Sequence, residues 1–132
     1  MRVFVIDVNS GTYYTDDIRD DIKVYYKIIG CELIDIAEVQ IEDRIFDVIC
    51  DDEGMYVKNG ARPSVVDAKS NVKMVGTLMF CHGDSNGDEI GLNDGDATVL
   101  NKYMVRVVAE ELDEKDPRPK AWYLLKYPFT NE

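Results

Sequence analysis

Cys81 and His82 are the one adjacent thiol–imidazole pair in this chain, and they are the first residues to weigh for chemistry. A cysteine nucleophile needs a base within hydrogen-bond reach of its sulfur. The pair sits in Val75–His82, an apolar run that reads as a strand, and strand neighbours point to opposite faces. They cannot serve one another. His82 is the only histidine, and Cys31, Cys50 and Cys81 show no metal-ligand spacing, which argues against zinc. Asp84-Ser85-Asn86-Gly87-Asp88 alternates oxygen donors as calcium loops do. The sixth position, however, is Glu89 where glycine is required, and the twelfth is Gly95 where glutamate is required. Asn9-Ser10-Gly11-Thr12 has one glycine and no lysine, so it is a turn rather than a phosphate loop. No catalytic residue, metal ligand or cofactor is assigned.

Two other sets of residues suit binding rather than catalysis. Asp16, Asp17, Asp20 and Asp21 form one acidic group, and Asp51, Asp52 and Glu53 form another. Carboxylates so clustered can stand in for phosphates opposite a Lys/Arg groove, with binding that weakens steeply in salt. The plainer account of the first group is that four aspartates lie at a helix N-terminus, where the macrodipole favours them. The second set is Tyr13, Tyr14 and Tyr25 with Lys58 and Arg62. Tyrosine faces can hold a base and a cation can hold a phosphate, which is the alternative of a nucleotide-type small-molecule binder. Packing in the core is the plainer use of most tyrosines.

Charge narrows the partners. The 132 residues include 15 basic and 26 acidic ones, a formal net charge of −11. That disfavours direct binding to nucleic acid, whose phosphates need Lys and Arg, and disfavours anionic membranes. It permits a basic protein surface. No apolar run reaches the roughly 18 residues of a membrane span. The segment Met1–Val8 is too short for a signal sequence and is interrupted by Asp7. With an odd number of cysteines, the expected location is cytoplasmic.

The elements that would position these groups can be read from periodicity. Glu32 to Ile41, alternating imperfectly, and Arg44 to Cys50 read as a hairpin with its turn at Glu42-Asp43 and a final Glu53-Gly54. Val3–Val8 and Val75–His82 are apolar on both faces, as interior strands are. Val65 to Asp67 pairs briefly, and Met55 to Val57 extends toward a turn at Lys58-Asn59-Gly60. A helix is expected from Thr15 or Asp16 to Gly30, with Ile18, Ile22, Tyr25, Tyr26 and Ile29 as its buried stripe. A second begins at Asn93, with Asp96 completing a near-capping box, and buries Leu100, Met104, Val107, Val108 and Leu112. The fold class is α+β: a single layer of mostly antiparallel sheet packed by two helices on one face, in one domain spanning 1–132.

The domain is read as a core over 2–112 and an aromatic extension over 117–132. Trp122, Tyr123, Leu124, Leu125, Tyr127 and Phe129 crowd into that extension after Pro117 and Pro119. Such residues either add a strand to their own sheet or dock on a second copy, and the stiff linker favours a homodimer.

The series Tyr25-Tyr26-Lys27-Ile28-Ile29-Gly30-Cys31, Phe46-Asp47-Val48-Ile49-Cys50-Asp51-Asp52-Glu53-Gly54, Pro63-Ser64-Val65-Val66-Asp67 and Val75-Gly76-Thr77-Leu78-Met79-Phe80-Cys81 resembles the domain of unknown function 3846 family. The similarity runs from about Val3 to Met104. It implies a small accessory protein of phage, plasmid or bacterial origin, and it transfers no functional residue. The expectation is therefore a non-enzymatic acidic interaction protein of a phage or mobile element. It would inhibit host defence by binding the basic surface of a nucleic-acid-binding protein.

Overall fold

The computed structural model describes residues 1–53, 62–111 and 114–129. In chain order the elements are β1 (Arg2–Asp7), β2 (Thr12–Asp17), α1 (Ile22–Ile29), β3 (Ile34–Ile41), β4 (Arg44–Asp51), β5 (Pro63–Val66), β6 (Val72–Val75), β7 (Leu78–Gly83), β8 (Glu89–Ile90), α2 (Asp94–Lys102), β9 (Met104–Val108) and β10 (Ala121–Lys126). The fold is α+β. Strands β2-β1-β7-β4-β3 make an antiparallel sheet, to which β8 adds beside β7. Strands β6-β5-β10-β9 make a second, mixed sheet in which β10 runs parallel to β5.

Strands that are apolar on both sides need cover on both sides, and that requirement sets the layers. Val3, Val5, Ile49, Met79 and Cys81 bury under Tyr25 and Ile29 of α1. On the opposite face Phe4, Ile6, Phe46, Val48, Leu78 and Phe80 bury against Leu100 of α2 and against Val65, Trp122 and Leu125 of the second sheet. The two helices thus lie on opposite faces of the large sheet rather than on one. Helix α1 covers one face, and α2 together with the second sheet covers the other. The hairpin forms as read, with Glu42 at φ 58° in its two-residue turn.

The ends of the helices differ from the sequence reading. Helix α1 begins at Ile22, not near Asp16, and is capped by Asp21, whose carboxylate accepts from the Lys23 N–H at 2.9 Å. Gly30, at φ 80°, terminates it as expected. Ile22 is 51 % exposed, so the buried stripe reduces to Tyr25 and Ile29, with Ile18 packing from the connector. At α2 the Asn93–Asp96 capping box is complete in both directions. That helix stops at Lys102, and Met104, Val107 and Val108 belong to β9. Lys58, Leu112 and the extension of Met55 to Val57 lie outside the described residues.

The aromatic tail is not an appendage. β10 sits between β9 and β5 in the second sheet, and Trp122, Leu124 and Leu125 are buried. The Trp122 indole donates to the Pro63 carbonyl at 3.0 Å, and the Arg62 guanidinium lies 4.4 Å over its ring. The tail adds a strand to its own sheet, and these buried side chains present no patch to a second copy.

Candidate functional site

The open margin of the large sheet is β2, which pairs with β1 on one side only. Its hydrogen-bonding phase is fixed at the base of the strand. The Met1 ammonium donates to the Ile18 carbonyl and the Ile18 N–H donates to the Met1 carbonyl, both at 2.8 Å. In an antiparallel ladder bonded and non-bonded pairs alternate. The backbone groups of Thr12, Tyr14 and Asp16 therefore turn toward β1, and those of Tyr13, Thr15 and Asp17 face outward. The Asp17 N–H is occupied by the Asp16 carboxylate at 2.9 Å. Tyr13 and Thr15 keep their outward N–H and C=O groups for another strand.

Beside this edge a cleft of about 570 Å³ opens between Thr15, Asp16 and Asp17 of β2 and Asp94, Ala97 and Thr98 of α2. Arg2 also lines it and is ion-paired with Asp94. An adjoining hollow of about 340 Å³ shares Thr15, Ala97 and Thr98 with the cleft and adds Phe4, Tyr13, Tyr14 and Asn101. The Tyr13 hydroxyl donates to the Asn101 side chain at 2.8 Å, and its ring meets Tyr123 edge-on at 5.0 Å. One half of the recess is thus carboxylate-walled and the other aromatic.

The seven acidic residues singled out from the sequence divide into two places. Asp16 and Asp17 are exposed on β2, and Asp20 and Asp21 lie in the connector that starts α1. The macrodipole account thus applies to Asp21 alone, as the cap. Asp51 ends β4, and Asp52 follows it, its N–H donating to the Leu33 carbonyl at 3.0 Å. Asp51 and Asp52 act on Cys31, which follows Gly30, so this group stands at the other end of α1. The eight residues of α1, a rise of about 12 Å, lie between Asp20 and Asp21 and the second group. Among the described residues none of the seven carboxylates is in an ion pair. Four of them have neutral hydrogen-bond partners: the Tyr25 hydroxyl for Asp20, backbone N–H groups for Asp16, Asp21 and Asp51. Residues 1–53 hold 14 of the acidic residues against 5 basic ones, so most of the net charge belongs to the large sheet and α1.

The alternative ligand set is dispersed. Tyr13 and Tyr14 share the hollow from opposite faces of β2. Tyr25 is buried beneath α1 and bonded to Asp20, with its hydroxyl pKa raised by burial and then by that carboxylate. Arg62 is 5 % exposed and committed to the Trp122 ring and, at 3.4 Å, to the Val8 carbonyl.

Sequence reading missed a buried polar centre. The Asp96 carboxylate, which completes the cap of α2, also accepts from Arg44 at 2.6 Å and meets His82 Nε2 at 2.8 Å. Burial pushes its carboxyl up, but the Asn93 N–H, Arg44 and His82 together outweigh that and lower it. His82 Nδ1 is 2.9 Å from the Ile45 carbonyl and the ring stacks on Phe46. Cys81 points to the other face, where its thiol donates to Glu89 at 3.2 Å. Burial raises all three thiols: Cys50 is pushed up to about 11, helped by Asp35, Asp51 and Asp52, and Cys31 and Cys81 are also shifted upward. The imidazole and the carboxylates here anchor α2 to β4 and β7, and the protonated thiols are poor nucleophiles.

A family model described as Domain of unknown function (DUF3846) matches residues 1–107. No curated protein and no solved structure matches the chain. Among the described residues no helix is long and apolar enough to cross a membrane.

Proposed function

The chain belongs to the DUF3846 family of domains of unknown function, and from that premise we propose that it is a non-enzymatic binding protein for a basic protein surface. The observation that carries this reading is the set of seven carboxylates that, among the described residues, stand outside every ion pair, placed at the two ends of α1 and along β2, where Asp17 lies opposite Arg2 across the ladder. Uncompensated charge of one sign raises the local potential and selects the opposite sign in a partner. A groove of Lys and Arg that ordinarily takes phosphates, as in a nucleic-acid-binding protein of a host cell, fits that chemistry. The raised thiols and the structural commitment of His82 support the non-enzymatic half of the reading.

The test compares the native chain with a variant in which Asp16, Asp17, Asp20, Asp21, Asp51 and Asp52 become Asn and Glu53 becomes Gln. Asn at position 21 still caps α1, so folding is retained. Both are titrated against a panel of purified nucleic-acid-binding domains at low and moderate salt, with duplex DNA as competitor. The native chain should bind at least one domain, lose about tenfold or more in affinity over that salt range, and be displaced by DNA. Equal affinity of the neutralised variant, or binding indifferent to salt, would refute the proposal.

A further inference from the structure

The open backbone of β2 says how such a partner would be held. Tyr13 and Thr15 present outward N–H and C=O groups that pair with no strand among the described residues, the geometry by which an extended peptide joins a sheet. We infer that β2 receives an extended, basic segment of the partner as an added strand of the large sheet. This rests on the acidic-surface reading and specifies its mode. Side chains of an added strand alternate between faces, and those on the α2 side recur every second residue. One of them meets the aromatic hollow at Phe4, Tyr13 and Ala97, and the next on the same face meets Asp17 and Asp94 in the cleft, where Arg2 sets one positive charge against the two carboxylates. The segment so selected carries an apolar or aromatic residue two positions from a Lys or Arg. On the α1 side a second cation would meet Asp16. A second copy of this chain is the wrong occupant, because each copy brings a net charge of −11 to the contact.

Thr15 offers a selective way to block the edge. Its N–H faces outward, so Thr15→Pro removes no bond to β1, and proline is tolerated on an edge strand. The probe is a capped nonapeptide in which Phe and Lys alternate on one face and Thr fills the other, titrated into the ¹⁵N-labelled full chain. Its controls are the same peptide with N-methylated backbone and the same peptide with Glu for Lys. Strand addition predicts hydrogen-exchange protection of the Thr15 amide on binding. It also predicts at least tenfold weaker binding after either Thr15→Pro or N-methylation, with the spectrum of the free variant still folded. Binding that survives both changes undiminished overturns strand addition and leaves the acidic reading standing. Equal binding of the Glu peptide overturns the acidic reading itself. No binding of the Lys peptide overturns the inference.

Discussion

Asp96 is one of two buried carboxylates among the described residues, and its surroundings show what a single residue holds together. It caps α2 through Asn93 and ties that helix to Arg44 of β4 and His82 of β7. Removing it in Asp96→Ala leaves the Asn93 N–H without its acceptor and the Arg44 guanidinium with only the longer bond to Asn93 Oδ1. Breaking a fully buried pair costs roughly 3–5 kcal/mol. Arg44 keeps 33 % of its side chain exposed, so a loss of about 2–3 kcal/mol in urea unfolding is expected. The acid limb carries a sign that can be checked. The folded carboxyl titrates below its ordinary 3.8, so its contribution is complete above that value and is lost as pH falls through the lower folded one. The stability gap between native chain and Asp96→Asn should therefore narrow on acidification below about pH 4. A gap that stays constant would place the carboxylate's worth elsewhere. The capping half of this centre was legible because Asn93 and Asp96 are three residues apart. The Arg44 and His82 half was not, because it joins residues 52 and 14 positions away.

At the scale of elements, the sequence announced the buried strands of the large sheet and missed the exposed β2 at its edge. β1, β4 and β7 bury apolar side chains, and all were legible. β2 has one half-buried side chain, Tyr13, in six residues, so no alternation marks it, and its aspartates merged with the helix that follows. β9 was absorbed into α2 because Leu100, Met104, Val107 and Val108 also satisfy a helical stripe. The run Val105, Val107, Val108 was the β-branched signal that could have separated them. The edge that forms the candidate site was thus the least legible strand in the chain. The turn that creates β2 is testable. Gly11 lies at φ 74°, and a Cβ there would stand 2.6 Å from the Ala121 carbonyl of β10. Gly11→Ala meets both left-handed strain and a backbone atom that cannot swing aside. It should cost roughly 2–3 kcal/mol and disturb the amides of β2 and β10 together. An unchanged melting curve would mean that this turn does not touch β10 in solution.

On the scale of the whole molecule, the net charge and the α+β class were legible, whereas the second sheet was not. Its centre is a parallel pairing of Val65 with Leu125, across a span that no local pattern reports. Read alone, the tail after Pro117 is separable, since two amphipathic helices suffice for a core. The structure instead places that tail where its removal exposes two strands at once. β9 loses its only sheet partner, and β5 keeps only the irregular, bulged pairing with β6. Trp122, Leu124 and Leu125 would each forfeit about 1.5–3 kcal/mol of burial. The Phe4–Phe80 side of the large sheet would lose cover as well. Against a total stability of roughly 5–15 kcal/mol, that sum leaves little or nothing. A chain ending at residue 116 should therefore lose its cooperative unfolding transition and its dispersed amide spectrum. Trp122→Ala in the full chain should be folded but weaker by about 3–5 kcal/mol. If the truncated chain melted within a few degrees of the native one, the large sheet with its two helices would be the stable unit. The second sheet would then be an addition to it rather than part of its core.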